Sequence, residues 1–219
     1  MNMDFSKTRI SSSRSLGSYS KVQSLISPML RNRAFQLTTA VRACEYLNVG
    51  CGSFPTPGFC NIDYSWRPGV LVFDITRGIP LRDSSFRGIF TEHCLEHIEY
   101  SSCLQVLREF RRTLKPGGVA RIVVPDGEIY CNLYARAQSA ETVSWPYEEP
   151  GQLPMYYLNR TMRGHGHRYI YDFESMRDAL RQAGFSEIHR ESFRSGADPR
   201  LLLDQEYRAI ESLYVEAFA

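Results

Sequence analysis

The sequence contains a series of short apolar segments between positions 46 and 92, and each of them ends in a glycine or a carboxylate. Segments of this length are typical of buried strands rather than helices. In an open sheet of parallel strands, ligands bind outside the carboxyl ends of the strands. We therefore expect the residues that follow these segments to converge on one ligand. The segments end at Gly50-Cys51-Gly52, Asp63, Asp74 and Glu92.

Strands and helices alternate along the rest of the chain. Apolar periodicity predicts a helix that starts with a Ser102/Gln105 capping box and ends before Lys115-Pro116-Gly117-Gly118. A second helix is predicted from Asp172 to Ala183. Seven strands are predicted, at 45–49, 58–63, 70–74, 87–91, 119–124, 185–193 and 212–217. This alternation predicts an α/β fold with a mostly parallel seven-stranded sheet, an antiparallel C-terminal strand, and helices on both faces.

Composition and charge set the N-terminal segment apart. Residues 1–43 carry seven Lys or Arg residues against one Asp, in a chain whose net charge is +2. We interpret residues 1–27 as a flexible, basic, Ser-rich leader and residues 28–219 as one domain, with a helix from Pro28 to Cys44 at its edge. Several prolines and glycines between 125 and 170 predict an irregular lid or insertion over the site.

Two broad classes of protein are disfavoured by composition. No apolar run approaches the ~20 residues that a membrane-spanning helix needs. The six cysteines form no C-x-x-C pair, which favours reduced thiols and a cytoplasmic location. The sequence gives no prediction of the oligomeric state.

The glycines and the carboxylate that follows them indicate a nucleoside ligand. Gly50 and Gly52 would let the backbone approach a ligand, and the Asp63 carboxylate could bind a ribose diol. Pro55 and Pro57 disrupt the helix start that a dinucleotide fingerprint requires. No P-loop for a triphosphate is present either. A nucleoside without phosphates, such as S-adenosylmethionine, fits this pattern better.

Residues 46–126 resemble a class I S-adenosylmethionine-dependent methyltransferase, which has a Rossmann-like fold. Asn48 replaces the aspartate that is common in the first motif, and Arg87 replaces the aspartate that usually follows Phe86. Four segments carry the resemblance: Leu47-Asn48-Val49-Gly50-Cys51-Gly52, Asp74 with 79–86, 91–98, and Leu114-Lys115-Pro116-Gly117-Gly118.

The resemblance implies a role for each residue at the strand ends. The glycines would pass the methionine part of the cofactor, Asp63 would bind the ribose, and Asp74 with Ile75 would bind adenine. Glu92 and His93 would lie beside the sulfonium. The predicted cofactor-binding residues are Asn48, Gly50, Cys51, Gly52, Asp63, Tyr64, Asp74, Ile75, Glu92 and His93.

The C-terminal half resembles a smaller group of predicted methyltransferases encoded near bacterial surface-glycan genes. This resemblance implies a small-molecule or glycan acceptor that is methylated on oxygen or nitrogen. Aromatic residues of the lid suit stacking on a sugar, although a small hydrophobic core would have the same composition. The segments concerned are Gly166-His167-Arg168-Tyr169, Ala183-Gly184-Phe185 and 211–217, and the lid aromatics are Tyr130, Tyr134, Trp145, Tyr147, Tyr156 and Tyr157.

Histidines are the candidates for a general base, because methyl transfer to a hydroxyl requires removal of its proton. We favour His97, next to Glu96 in sequence, and His167 in the lid; for His97, a structural role is an equal alternative. The spacings His93-x-x-x-His97 and His165-x-His167 could also bind a metal. No third ligand stands at a recognisable spacing, so no metal is predicted.

Three functional hypotheses follow, in order of preference. The first is a methyltransferase on a small-molecule or glycan acceptor. The second is a methyltransferase on nucleic acid or protein, for which the basic leader is the motivation. The third is a non-catalytic relative that binds the cofactor without turnover.

Overall fold

A computed structural model describes residues 25–29 and 44–219. Residues 25–29 are helical. Of the helix predicted from Pro28 to Cys44, residues 30–43 lie outside the described residues, and Cys44 is not helical. Nearly all of the predicted leader also lies outside the described residues. In the part of the chain that is described, no helix has the length and apolar character needed to cross a membrane.

Seven strands form one sheet in the order β3-β2-β1-β4-β5-β7-β6. The neighbouring strands from β3 to β5 pair in parallel, and β7 pairs antiparallel with both β5 and β6. The predicted fold class is therefore confirmed. The strands are β1 (Tyr46–Val49), β2 (Cys60–Asp63), β3 (Leu71–Val72), β4 (Phe86–Glu92), β5 (Leu114–Pro125), β6 (Glu187–Glu191) and β7 (Ser212–Phe218).

Four α-helices accompany the sheet between residues 44 and 219. Asp172 caps the last of them through a reciprocal capping box with Ser175, as an N-cap aspartate should. The capping box predicted at Ser102 is wrong, because that helix already begins two residues earlier and its N-cap position makes no side-chain bond. The helices are α1 (Tyr100–Thr113), α2 (Gly127–Gln138), α3 (Pro154–Arg163) and α4 (Phe173–Gln182).

The segment 125–165 is less irregular than predicted, since it contains α2 and α3. Asp126 caps α2 by accepting a bond from the Glu128 amide, and Pro154 starts α3 at a position where its missing N–H is not needed. The prolines and glycines between the two helices do form a loop, and they account for the prediction of irregular structure.

The sheet buries apolar side chains on both faces. Because side chains alternate along a strand, Leu47 and Val49 enter the larger cluster under α1 and α4, whereas Tyr46 enters the cluster on the opposite face. Leu201, in a 3-10 turn near the C-terminus, covers that second cluster. The strand β5 is central and buried, as its apolar sequence predicts.

A buried ion cluster links the centre of β5 to the C-terminal segment. Arg121 is fully buried, and its guanidinium donates to both carboxylate oxygens of Asp204, at 2.8 and 2.5 Å. It also donates to Glu216 on the neighbouring strand at 3.1 Å. This two-point contact fixes the segment that follows β6 against the sheet.

Replacing Arg121 with Met should lower the free energy of unfolding by about 3–5 kcal/mol, because Asp204 and Glu216 would remain buried without their partner. Urea denaturation measures the change. Arg87→Ala is the control, since Arg87 forms an exposed pair with Glu45 and should cost about 1 kcal/mol or less. Equal effects of the two substitutions would contradict this account of the buried cluster.

Candidate functional site

A cleft of about 800 Å³ opens at the carboxyl ends of the parallel strands. Its volume lies within the usual range for ligand pockets, and it spans the point between β1 and β4 where the strand order reverses. All ten residues predicted to bind the cofactor line this cleft, and so does His97. The strand ends therefore converge on one space, as the sequence predicts.

The loop after β1 passes directly over the end of β2. The amides of Gly50 and Cys51 both donate to the Ile62 carbonyl, at 2.8 and 3.2 Å. Gly50 has a φ of +68°, and a Cβ at this position would lie 2.4 Å from the Cys94 sulfur. Only glycine fits this position, because a side chain would be strained by the backbone and would overlap Cys94.

Asp63 is held in a fixed orientation at the end of β2. One of its carboxylate oxygens accepts a bond from the Gly52 amide at 2.9 Å, and the other accepts one from the Ser65 amide at 2.8 Å. A carboxylate has about four acceptor positions, so two bonds leave capacity for a ligand's hydroxyl groups. The carboxylate ties the glycine loop to β2 and faces the cleft.

Two of the predicted residues also support the local structure. The buried Asn48 amide donates to the Asn61 side chain at 3.0 Å and to the Phe54 carbonyl at 3.3 Å, and so holds the loop after β1. Asp74 caps the 3-10 turn Ile75–Arg77 by accepting bonds from the Thr76 amide and hydroxyl. Both residues line the cleft while making these bonds.

Glu92 and His93 lie at the end of β4. The Glu92 carboxylate accepts a bond from the Gln205 amide at 2.8 Å, and burial raises its pKa. His93 has a φ of +48°, which is unusual for a residue other than glycine. Burial lowers the pKa of its imidazole to about 2, so the ring is neutral. This backbone conformation occurs where the chain leaves the strand and turns along the cleft.

Three histidines surround a buried carboxylate beside the cleft. One oxygen of Glu96, Oε1, lies 3.7 Å from His93 Nδ1, 3.8 Å from His97 Nε2 and 3.9 Å from His167 Nε2. Glu96 is fully buried, and this burial raises its pKa to about 8. Burial also lowers the pKa of His97 and that of His167. We call Glu96, His93, His97 and His167 the histidine cluster.

Backbone bonds bring the two distant parts of this cluster together. The Glu96 carbonyl accepts bonds from the amides of Arg168 and Tyr169, at 2.7 and 3.2 Å. These bonds place His167 behind Glu96, where it does not line the cleft, and its ring lies edge-on to that of His97 at 4.9 Å. The two histidines predicted as bases are therefore neighbours.

None of the six lid aromatics lines the cleft. Tyr130, Trp145 and Tyr157 form a buried cluster of their own, in which the last two rings stack at 4.6 Å. These three rings belong to a small core and do not face the cleft. Of the two alternatives that the sequence left open for these three rings, the structure supports the small core, because the two lid helices need an apolar interface between them.

The sequence interpretation missed Glu96 as the centre of a cluster and missed the C-terminal contribution to the cleft. Leu203, Gln205 and Arg208 line the cleft from the segment before β7. No local pattern in this segment indicates a ligand. For Glu96, the sequence signal was its position between His93 and His97, which was interpreted only as a pairing with His97.

Comparison with known proteins agrees with this geometry. Residues 58–122 match a family described as "Methyltransferase domain". A solved S-adenosylmethionine-dependent methyltransferase from Archaeoglobus fulgidus shares 14% identity and a TM-score of 0.50, over 90% of this chain and 94% of that one. One from Mesorhizobium loti shares 18% identity and a TM-score of 0.50, over 86% and 99%. No curated protein matches the chain.

At these identities, the solved structures establish a shared fold. The domain match, together with this fold, supports S-adenosylmethionine as the cofactor and methyl transfer as the activity, in agreement with the sequence. The predicted contacts of individual residues with the cofactor, and the association with surface glycans, remain predictions.

Replacing Gly50 with Ala should destabilise the protein more than the same change at Gly58. Both glycines have a positive φ, which costs alanine about 1–2 kcal/mol, but only Gly50 has an atom within 4 Å of the added Cβ. The overlap with Cys94 should cost about 1–3 kcal/mol more. Urea denaturation of the two variants measures the difference, and equal losses would show that the loop can move away from Cys94.

Proposed function

We propose that this protein transfers the methyl group of S-adenosylmethionine to an oxygen or nitrogen of a small-molecule or glycan acceptor. The observation that supports this most is the continuity of one cleft. The end lined by Gly52 and Asp63 suits a nucleoside, and the other end meets the histidine cluster at His97. A cofactor and an acceptor could therefore lie next to each other.

The residues of the first end fit the cofactor. The two free acceptor positions of Asp63 suit the ribose hydroxyls, and the turn at Asp74 and Ile75 suits the adenine edge. The glycine loop would allow the methionine part to lie against the backbone, with Glu92 and His93 beside the sulfonium. The remaining predicted contacts are Asn48, Cys51 and Tyr64, which line the same space.

The second end of the cleft suits an acceptor. His97, Ser102 and Arg208 line it, and they supply polar groups of different kinds around an opening to solvent. The His97 side chain is 40% exposed, so an acceptor can reach it. Its pKa is lowered by burial, which keeps the imidazole neutral and able to accept a proton at neutral pH.

These residues have a limited chemical task. Bound S-adenosylmethionine supplies an electrophilic methyl group whose leaving group is neutral. The protein has to align the acceptor with that methyl group and take the proton from a hydroxyl acceptor. In our proposal, the histidine cluster takes this proton, with His97 facing the acceptor and His167 supporting it from behind.

The nature of the acceptor and the location of the enzyme belong to the proposal as well. A glycan-type acceptor is supported by the resemblance of the C-terminal half to the surface-glycan group. A cytoplasmic location is supported by the six cysteines, which are all free thiols in the structure.

Replacing Asp63 with Ala should weaken binding of S-adenosylhomocysteine by about 10- to 100-fold, because hydrogen bonds to a charged group are worth about 1.5–3 kcal/mol. Isothermal titration calorimetry measures the affinity. The control is Asp83→Ala, since Asp83 is exposed, pairs with Arg112 and does not line the cleft. Absence of any heat with the unaltered protein would contradict the proposed cofactor site.

Turnover distinguishes the enzyme from a relative that only binds the cofactor. Release of S-adenosylhomocysteine is measured with a panel of methyl glycosides, phenols and amines as acceptors. The proposal expects release above the rate without acceptor for at least one compound, and loss of that release in Asp63→Ala. Tight cofactor binding without release from any acceptor would favour the non-catalytic alternative.

A further inference from the structure

We propose that Glu96, His97 and His167 bind one divalent transition-metal ion at the acceptor end of the cleft. Their ligand atoms all lie within 4.8 Å of one another. The binding of the ion stands on these residues alone, while its use in catalysis rests on the function proposed above. The inference revises the interpretation of the sequence, which recognised two pairs of histidines but no third ligand.

The environment of the Glu96 carboxylate supports a bound ion. Glu96 has no exposed surface, and neither of its oxygens accepts a hydrogen bond from any other described residue. Burying an ionised carboxylate without partners is strongly unfavourable, so such a group is protonated, paired with a cation or bound to a metal. The cationic side chains that could pair with it do not reach it, whereas three imidazoles do.

The orientation of His167 also suits a metal ligand. Its Nδ1 lies 2.6 Å from the Thr161 carbonyl, which can only accept, so Nδ1 carries the proton. Nε2 is then an unprotonated acceptor that faces Glu96 Oε1. An ionised carboxylate and this nitrogen repel each other at 3.9 Å, and a cation between them would remove the repulsion. The distance exceeds that of a hydrogen bond, so the two atoms do not share a proton directly.

His93 has the same orientation toward Glu96. The Ser212 hydroxyl donates its proton to the Arg208 carbonyl at 2.8 Å, so its oxygen accepts from His93 Nε2 at 2.9 Å. The proton of His93 is therefore on Nε2, and the lone pair of Nδ1 is directed at Glu96. His93 is a candidate for a fourth ligand after a small movement.

The ligand atoms lie somewhat farther apart than they would around a bound metal ion. Bonds of about 2.1 Å in a tetrahedral site place ligand atoms about 3.4 Å apart. The histidine nitrogens lie 3.8 and 3.9 Å from Glu96 Oε1 for His97 and His167. These two separations would have to shorten by about half an ångström, and the separation between the two histidine nitrogens, which is at most 4.8 Å, would have to shorten as well. The bond from His167 to the Thr161 carbonyl is the kind of outer contact that metal-bound histidines make.

The ligand set and the opening of the site indicate the class of ion. Two imidazoles and one carboxylate suit zinc or iron(II) rather than magnesium or calcium, which prefer oxygen ligands. His97 lines the cleft, so a coordination position on that side would be open to the acceptor. An ion there would act as a Lewis acid that binds an acceptor hydroxyl and lowers its pKa.

The reaction with such an ion balances without a redox partner. The acceptor hydroxyl loses its proton to solvent, and its oxygen forms a bond to the methyl carbon. The carbon–sulfur bond breaks, and its electron pair remains on sulfur. Because the ion lowers the pKa of the hydroxyl, His97 would serve as a ligand and not as the proton acceptor. With a metal ion in this position, we expect the acceptor to be a hydroxyl and not an amine.

The test is a titration of the full chain with zinc after removal of metals by a chelator. Calorimetry should show one ion per chain, and Glu96→Gln, His97→Ala and His167→Ala should each weaken binding by more than about tenfold. The matched control is His189→Ala, because His189 also lies beside a glutamate, Glu187, but on the exposed strand β6. This control should bind zinc like the unaltered protein.

Two measurements keep the test decisive. His97 is 40% exposed, and its alanine variant should retain the melting temperature of the metal-free protein, so loss of zinc binding would not reflect unfolding. Cobalt(II) absorption identifies the ligands, and a thiolate-to-cobalt band would place the ion on cysteines and overturn the proposal. So would absence of stoichiometric zinc binding, or equal binding by Glu96→Gln.

The outcome is independent of the proposed function. Zinc is titrated without cofactor, and S-adenosylhomocysteine is titrated separately on the same preparation. Protein that binds zinc but no S-adenosylhomocysteine supports the metal site and contradicts the methyltransferase. Protein that binds S-adenosylhomocysteine but no zinc does the reverse.

Discussion

Parallel pairing of β1 with β4 is the constraint on which the rest of the site depends. The register sets Val49 opposite Thr91, so the glycine loop after β1 and the turn after β4 leave the sheet at the same level. Because β2 is parallel as well, Asp63 ends beside them and binds the Gly52 amide. The cleft is a consequence of this register, which brings residues from separate strands together at one edge of the sheet.

The second determinant is the contact between the turn at Glu96 and the loop at His167. His93 and Glu96 lie at the edge of the cleft because they follow strand β4. The amides of Arg168 and Tyr169 donate to the Glu96 carbonyl and so attach the lid segment there. The result is a carboxylate that is shielded from solvent and surrounded by three imidazole rings. A protein keeps such an arrangement at a cost in stability, which is the usual mark of a site with a chemical task.

The parts of this structure that sequence could predict are those with a local signal. The short apolar segments that end at Gly50, Asp63 and Asp74 are recognisable in the sequence as strands. The fold class follows from the alternation of such strands with helices. The His167–Glu96 contact joins residues 71 positions apart through backbone bonds that no spacing reveals. Likewise, the aromatic composition of the lid is the same for a core and for a binding surface, and only the packing of Trp145 on Tyr157 distinguishes them.

The central claim is that the strand ends from β1 to β4 form the cofactor site, with the histidine cluster next to the methyl group. A crystal structure with S-adenosylhomocysteine tests it most directly. The account predicts ribose hydroxyls within hydrogen-bond distance of the Asp63 carboxylate, and a sulfur atom that faces the end of the cleft lined by His97. S-adenosylhomocysteine bound elsewhere, or with its sulfur directed away from His97, would contradict it.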